Sequence, residues 1–400
     1  MTGRGGAGRS ATAAASRLRD RTAVAGVGYA GYSRDSGVST QTLALQAIRA
    51  ALDDAGLSVH DVDGVACHRL GDSVDPAQIA QDLGIADVRF IRDVHGGGSA
   101  AAGTLIDAAM AVVLGIADTV VCWRALNSRS EGRAGAVTGP AALAGDAQFW
   151  LPYQHLTPPQ LFAMETRAYL HRWGYTAEDL GRVAIAQRRH AALSPRAMMT
   201  APLTMEEYLA SRYIAEPLRL FDCCLETDGA VALVVTSADR ARDLRLPAVL
   251  ISGAAFGGGN QLTSNHWDDR TVAPAQRMAP RLYASAGVGP MDVDVAELYD
   301  AFTPLVLMQL EAYGFCKAGE AGGFVADGAT ALDGVLPVNT HGGHLSEGYV
   351  HGLNHVGEAV NQLRGGCGER QVPGAEVALV TSQPGMLSGL TSALLLRRES

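Results

Sequence analysis

The feature that most constrains this chain is an internal repeat. Ala55-Gly56-Leu57-Ser58-Val59-His60-Asp61-Val62-Asp63 returns without a gap as Ala286-Gly287-Val288-Gly289-Pro290-Met291-Asp292-Val293-Asp294. Each copy follows a predicted helix and precedes a short apolar strand. The first helix is expected from about Thr40 to Ala55, with Leu43, Ala47, Ile48, Ala51 and Leu52 on one face and Gly56 as its stop. The second is expected from about Pro274 to Ala286, ended by Gly287. An earlier apolar strand leads into each, near Thr22–Gly28 and Pro247–Ala255. A strand–helix–strand unit used twice implies an α/β fold built on a duplicated sheet.

Later segments fit that plan. Helices are expected over about 99–114, 303–313 and 352–363, and apolar strands over about 119–123, 377–381 and 390–396. The resulting organisation is a disordered tail over 1–20, a first half over 21–245 and a second half over 246–400. Within the first half, about 125–217 reads as an insertion with helical patterns, placed to cover a site. Its apolar residues Phe149, Trp150, Leu151, Tyr153 and Phe162 are candidates for a pocket wall, or simply for core.

The 400 residues carry 41 acidic and 32 basic side chains, a net charge of −9 that disfavours nucleic-acid binding. No stretch has the length and apolarity of a membrane span, and a cytoplasmic enzyme is expected. The six cysteines form no Cys-x-x-Cys pair, so neither a zinc site nor a dithiol is indicated. Gly26-Val27-Gly28-Tyr29-Ala30-Gly31 fits a dinucleotide fingerprint, but the next helix starts only near Thr40, so a nicotinamide or flavin site is not expected.

Two loops carry the chemistry: Glu297-Leu298-Tyr299-Asp300-Ala301-Phe302, and Asn339-Thr340-His341-Gly342-Gly343-His344-Leu345-Ser346-Glu347-Gly348-Tyr349-Val350. Both resemble active-site loops of the thiolase superfamily, most closely its sterol-carrier branch, where His-Asp-x-Phe and Asn-x-x-Gly-Gly-x-x-x-x-Gly-His-Pro stand. Tyr299 and Tyr349 replace the two histidines. The segments 217–222 and 228–233 also look like a thiolase, so the resemblance covers nearly everything after the tail. It implies βαβαβαββ halves in a layered α-β-α-β-α core.

A thiolase also needs two cysteines. The matching stretches, His95-Gly96-Gly97-Gly98-Ser99-Ala100 and Thr381-Ser382-Gln383-Pro384-Gly385, contain none, so acyl transfer through an enzyme thioester is not expected. Ser99 reads as a helix N-cap rather than a replacement nucleophile without an adjacent base, Asp300 as a cap or brace for the following helix, and Glu347 as a solvated loop charge, with a pocket acid as the alternative. Tyr299 and Tyr349 remain as the acid/base pair for cleaving a β-hydroxyacyl thioester, a reaction that needs no covalent nucleophile. His341, His344 and His351 and the amides of Gly342 and Gly343 are candidate donors around them. His95 is a candidate for lining the cavity or donating to the enolate, with a loop histidine satisfied by backbone as the alternative, and Gly97 is a candidate for the cavity wall.

The cysteine-free, double-tyrosine form resembles the actinobacterial retro-aldolases of steroid side-chain breakdown. That resemblance implies a C17-hydroxylated steroid acyl-CoA as substrate, and a 17-ketosteroid and propionyl-CoA as products. It also implies a homodimer and a small hydratase partner with an OB-fold, of the domain-of-unknown-function-35 type. Coenzyme A enters only as part of the substrate; no other cofactor and no metal is expected. A non-catalytic acyl-CoA or sterol carrier and a cysteine-independent condensing enzyme are the alternatives.

Overall fold

The computed structural model describes residues 17–132, 147–153, 155, 157–258, 269–386 and 389–399. The expected tail over 1–16 therefore lies outside the described residues. Its end does not: residues 17–20 form a turn, and the Asp20 N–H donates to the Ile251 carbonyl at 3.1 Å.

The first half contains strands β1 (Thr22–Ser33), β2 (Gly64–Arg69), β3 (Phe90–His95), β4 (Thr119–Asn127) and β5 (Asp228–Ser237). The second contains β6 (Val249–Gly257), β7 (Val295–Glu297), β8 (Val377–Thr381) and β9 (Thr391–Arg398). All join one sheet in the order β3-β2-β4-β5-β1-β6-β9-β8-β7. Read from each outer side, β2-β4-β5-β1 and β7-β8-β9-β6 are the same arrangement, with one parallel pair followed by two antiparallel pairs. The halves meet antiparallel through two residue pairs, Ala23 with Leu250 and Val24 with Val249. The duplication inferred from the repeat is thus a duplication of topology. Its second copy is trimmed: where β3 would recur, a single bridge joins Ala296 to Val338.

Four helices complete the layers. Helix α1 (Thr40–Ala55) packs on β1, β4 and β5, and α5 (Ala275–Ala286) packs on β6 and β9. Between the half-sheets lie α2 (Ala101–Val113) and α8 (Leu353–Arg364), each touching strands of both. Helix α1 spans the predicted residues because Ser39 caps the Thr42 N–H and Gly56 leaves the helix at φ 72°. Gly26 and Gly28 serve that packing: a Cβ on them would fall 2.1 Å from the Ala51 carbonyl oxygen and 2.2 Å from that of Ala47. The apparent dinucleotide fingerprint is a close strand–helix contact.

The repeat itself acts identically in both halves. Each copy forms a short 3-10 turn, Val59–Asp61 and Pro290–Asp292. Asp63 then accepts from the N–H groups of Asp118 and Thr119 at the head of β4. Asp294 accepts from those of Glu376 and Val377 at the head of β8, both at 2.9 Å.

The insertion contributes α3 (Pro158–Trp173) and α4 (Ala177–Ala191), and α6 (Thr303–Ala312) follows the Tyr299 strand. Phe162 is buried against Phe302, their ring centroids 4.6 Å apart. Phe149 and Tyr153 are exposed, and the Trp150 side chain lies outside the described residues. Met198 and Met199 donate their N–H groups to Glu347 and Ser346, so the insertion braces the second tyrosine loop.

Candidate active site

Tyr299 leaves the C-terminal end of β7 with its backbone tied on both sides. Its N–H donates to Thr381 Oγ1 at 2.9 Å, and its carbonyl accepts from Gln309 Nε2 at 2.7 Å. Tyr349 follows the short helix α7 (Gly343–Ser346), and its N–H donates to Thr227 Oγ1 at 3.2 Å. The two loops bring the phenol oxygens to 2.8 Å, a hydrogen bond between side chains 50 residues apart. Gly98 makes the space: a Cβ there would lie 2.1 Å from the Tyr299 hydroxyl.

Burial pushes both phenols well above the ordinary tyrosine value; for Tyr299 the hydrogen bond from Tyr349 offsets part of this. Both are therefore neutral near pH 7. Tyr299 is buried and Tyr349 half-buried.

His344 is the predicted neighbour that the fold does deliver. Its ring sits edge-on to both tyrosine rings, 4.8 Å from each centroid. Nε2 faces Asn354 Oδ1 at 3.1 Å and Nδ1 faces Asp300 Oδ1 at 3.1 Å. Burial, then the neighbouring His355, hold it neutral, well below the usual histidine value.

His341 points the other way, into a buried ionic cluster. Its Nδ1 lies 3.0 Å from Glu297 Oε2 and its Nε2 3.5 Å from Glu347 Oε2. Burial opposes its charge, but Glu347 and Glu297 outweigh that and raise it to about 9. His355 is raised too, against burial, by Asp300 and Glu297. Arg196 bridges Glu347 and Glu358 at 3.0 and 3.4 Å, and Arg370 pairs with Glu358 at 2.9 Å. His341, His355 and the two arginines thus face Glu297, Asp300, Glu347 and Glu358. Two triads here, Glu297-His341-His355 and Asp300-His344-His355, bring ligand atoms within 4.8 Å of one another. They are the described groups that could hold a metal, but their 3.0–3.6 Å spacings are also those of ion pairs.

Several expectations need correction. Glu347 is fully buried and paired rather than solvated. Asp300 caps the other loop, accepting from the His344 and Leu345 N–H groups. Ser99 caps nothing; Gly97 and Ala100 hold the capping positions. The Gly342 amide is spent on the Asn339 carbonyl at 2.8 Å, and Gly342 (φ 100°) and Gly343 (φ 62°) are required by close approach. A Cβ on them would meet Ala191 at 2.4 Å and Asp300 at 2.1 Å. His95 is exposed at the end of the edge strand β3, and Gly97 faces His351.

Sequence reasoning missed Arg124, which is fully buried in β4 and donates to His351 Nδ1 from Nε and Nη2 at 3.0 and 2.7 Å. A lone arginine at the end of an apolar run was the available signal. The two stretches that match the cysteine loops hold no cysteine. All six cysteines are free thiols pushed up by burial. Ser382, in the stretch that matches the second cysteine's loop, accepts from the Ala102 N–H at 3.0 Å and pairs with Ser392 at 2.8 Å. Tyr153 lines an open hollow of about 580 Å³ with Gln160, Met164 and Glu216, and neither phenol is part of its lining.

Two mirrored half-sheets enclosing paired central helices, with the site at the loops between them, define a thiolase-like fold. The family model "Thiolase C-terminal domain-like" matches residues 259–397. The solved Ltp2-ChsH2(DUF35) aldolase superposes with a TM-score of 0.89 at 44% identity, covering 95% of this chain and 98% of that one. The "Steroid side-chain-cleaving aldolase" of Thermomonospora curvata is 46% identical over 87% of this chain and 91% of its own length. The "17-hydroxy-3-oxo-4-pregnene-20-carboxyl-CoA lyase" of Mycobacterium tuberculosis is also 46% identical, over 93% of this chain and 99% of its own. The chain belongs to the thiolase superfamily, alongside its steroid side-chain-cleaving aldolases.

Proposed function

We propose that this protein is a carbon–carbon lyase that cleaves a β-hydroxyacyl-CoA, with a 17-hydroxysteroid bearing a short acyl-CoA side chain as substrate and a 17-ketosteroid and propionyl-CoA as products. The observation that carries the reading is the 2.8 Å contact between the Tyr299 and Tyr349 hydroxyls in a thiolase site without its cysteines. A free phenolate at pH 7 costs about 4 kcal/mol from the reference pKa alone, and burial adds to that. A pair of neutral phenols avoids the cost. In one concerted relay the substrate's β-hydroxyl gives its proton to one phenol oxygen, that phenol passes its own to the other, and the other releases its own toward Cα, so neither phenol is ever doubly protonated. The bond between the carbinol carbon and Cα breaks, leaving a ketone, and its electron pair forms the thioester enolate. The second phenol protonates Cα, so the pair ends in its starting protonation state.

The same reading assigns the partners. A small DUF35-type hydratase with an OB-fold is the proposed companion, supported by the solved aldolase above. The unpaired edge of β3, with Ile91 exposed, is the proposed homodimer seam. No helix among the described residues is long and apolar enough to cross a membrane, and a cytoplasmic location is proposed. The test is incubation of the 17-hydroxysteroid acyl-CoA with the chain, with and without the DUF35-type partner. Ketosteroid plus propionyl-CoA supports the reading. Tight binding without turnover would make the chain a carrier, and product only from two acyl-CoAs a condensing enzyme.

A further inference from the structure

We propose that His351 holds the substrate's thioester carbonyl oxygen, and the enolate oxygen it becomes, through its Nε2–H. The inference rests on the aldol-cleavage reading above and adds the group that reading lacks. Breaking the C–C bond drives negative charge onto the thioester oxygen, and a placed donor there is commonly the largest contribution to rate.

The tautomer follows from Arg124. A guanidinium only donates, so the two short contacts from Nε and Nη2 leave His351 Nδ1 with its lone pair and put the ring proton on Nε2. Arg124 is itself pinned by Asp72 Oδ2, 2.6 Å from Nη2. The backbone of His351 takes φ 53°, a left-handed conformation uncommon for a residue with a Cβ, and this turns the ring toward the glycine loop. Among the described residues no hydrogen bond is made at Nε2. His351 is also the accessible histidine of its group, 8% exposed where His341, His344 and His355 are 0%.

The donor faces the right place. A Cβ on Gly97 would lie 3.9 Å from His351 Nε2, and one on Gly98 would lie 2.1 Å from the Tyr299 hydroxyl. Consecutive Cα atoms are about 3.8 Å apart, so donor and phenol pair front on adjacent residues of one side-chain-free loop. In a β-hydroxyacyl thioester the hydroxyl and carbonyl oxygens likewise hang on the two neighbours of Cα. Tyr349 continues the row, its ring centroid 4.9 Å from that of His351.

The charged and titratable groups facing the ring are Arg124 from β4, His68 from β2, Asp72 beyond β2, and Tyr349 and His344 from its own side. Burial, then the Arg124 charge, keeps the imidazole from taking a second proton. His351 therefore keeps its proton throughout the cleavage; the proton delivered to Cα comes from the phenols.

The experiment compares wild type, H351F and H351Q in two readouts. For cleavage of the steroid acyl-CoA, H351F should lose about 100-fold in kcat with little change in KM, and H351Q, which restores an N–H donor, should recover part of it. A merely structural role would show no rescue by glutamine. Independently of turnover, the infrared carbonyl stretch of bound ¹³C-carbonyl propionyl-CoA should shift down in wild type and H351Q but not in H351F. An H351F kcat within about threefold of wild type, a carbonyl stretch equal in wild type and H351F, or no binding of propionyl-CoA overturns the proposal. If wild type cleaves nothing, the aldolase reading fails, and the carbonyl stretch alone then decides the role of His351.

Discussion

The two halves share a topology and divide the chemistry unequally. Asp63 and Asp294 do the same work, each accepting two N–H groups at the head of the neighbouring parallel strand. Past those strands the likeness ends. The first half ends in a side-chain-free glycine loop and a buried arginine; the second ends in two phenols and four histidines. The repeat thus carries folding, and the residues outside it carry reactivity.

The largest test of that division is loss of one phenol. Y299F and Y349F should each lower kcat about 10³-fold while leaving the melting temperature within a few degrees, read by product formation and calorimetry. Near wild-type cleavage by both variants would end the acid/base assignment. Next is G98A, in the first half's loop. The added methyl would overlap the Tyr299 hydroxyl, and kcat should fall about 10²-fold, comparable to a displacement of about 1 Å at a reacting group.

A smaller effect belongs to the ionic cluster behind the phenols. His341 is raised from its ordinary value to about 9, so its contribution is complete below about pH 6.5 and is lost as pH rises through about 9. Stability should fall by roughly 1–3 kcal/mol across that window, and H341Q should flatten the slope. A wild-type urea midpoint that rises over the same window would refute the assignment. The smallest effect tests the likeness itself. D63N and D294N should each cost about 1 kcal/mol in urea unfolding, by similar amounts, with kcat unchanged. A large loss of kcat in only one would mean that half's aspartate does more than hold a strand.

Much of this was legible because it is local. Helix α1 and strand β8 fall on their predicted bounds, since Ser39 and Gly56 are nearby punctuation and Val377–Thr381 is a short apolar run. The two tyrosines were found because glycine spacing fixes where a loop residue points. What escaped is non-local. β4 was expected to end at Trp123, because nothing adjacent in sequence announces that Arg124 can be buried on His351, 227 residues away. Asp300 was assigned to the helix beside it, while its partners stand 44 and 55 residues downstream. Glu347 looked solvated because its neutralising arginine, Arg196, lies in the insertion.

The middle layer has a consequence for how the molecule comes apart. Helices α2 and α8 each rest on both half-sheets, whereas the sheets themselves join through only two residue pairs. Neither half can close its interior alone, so a chain cut between β5 and β6 would leave fragments with a bare apolar face apiece. Mixed together, each supplies the other's missing wall, and turnover would return only with the pair, which makes the enzyme a candidate for a split reporter of association.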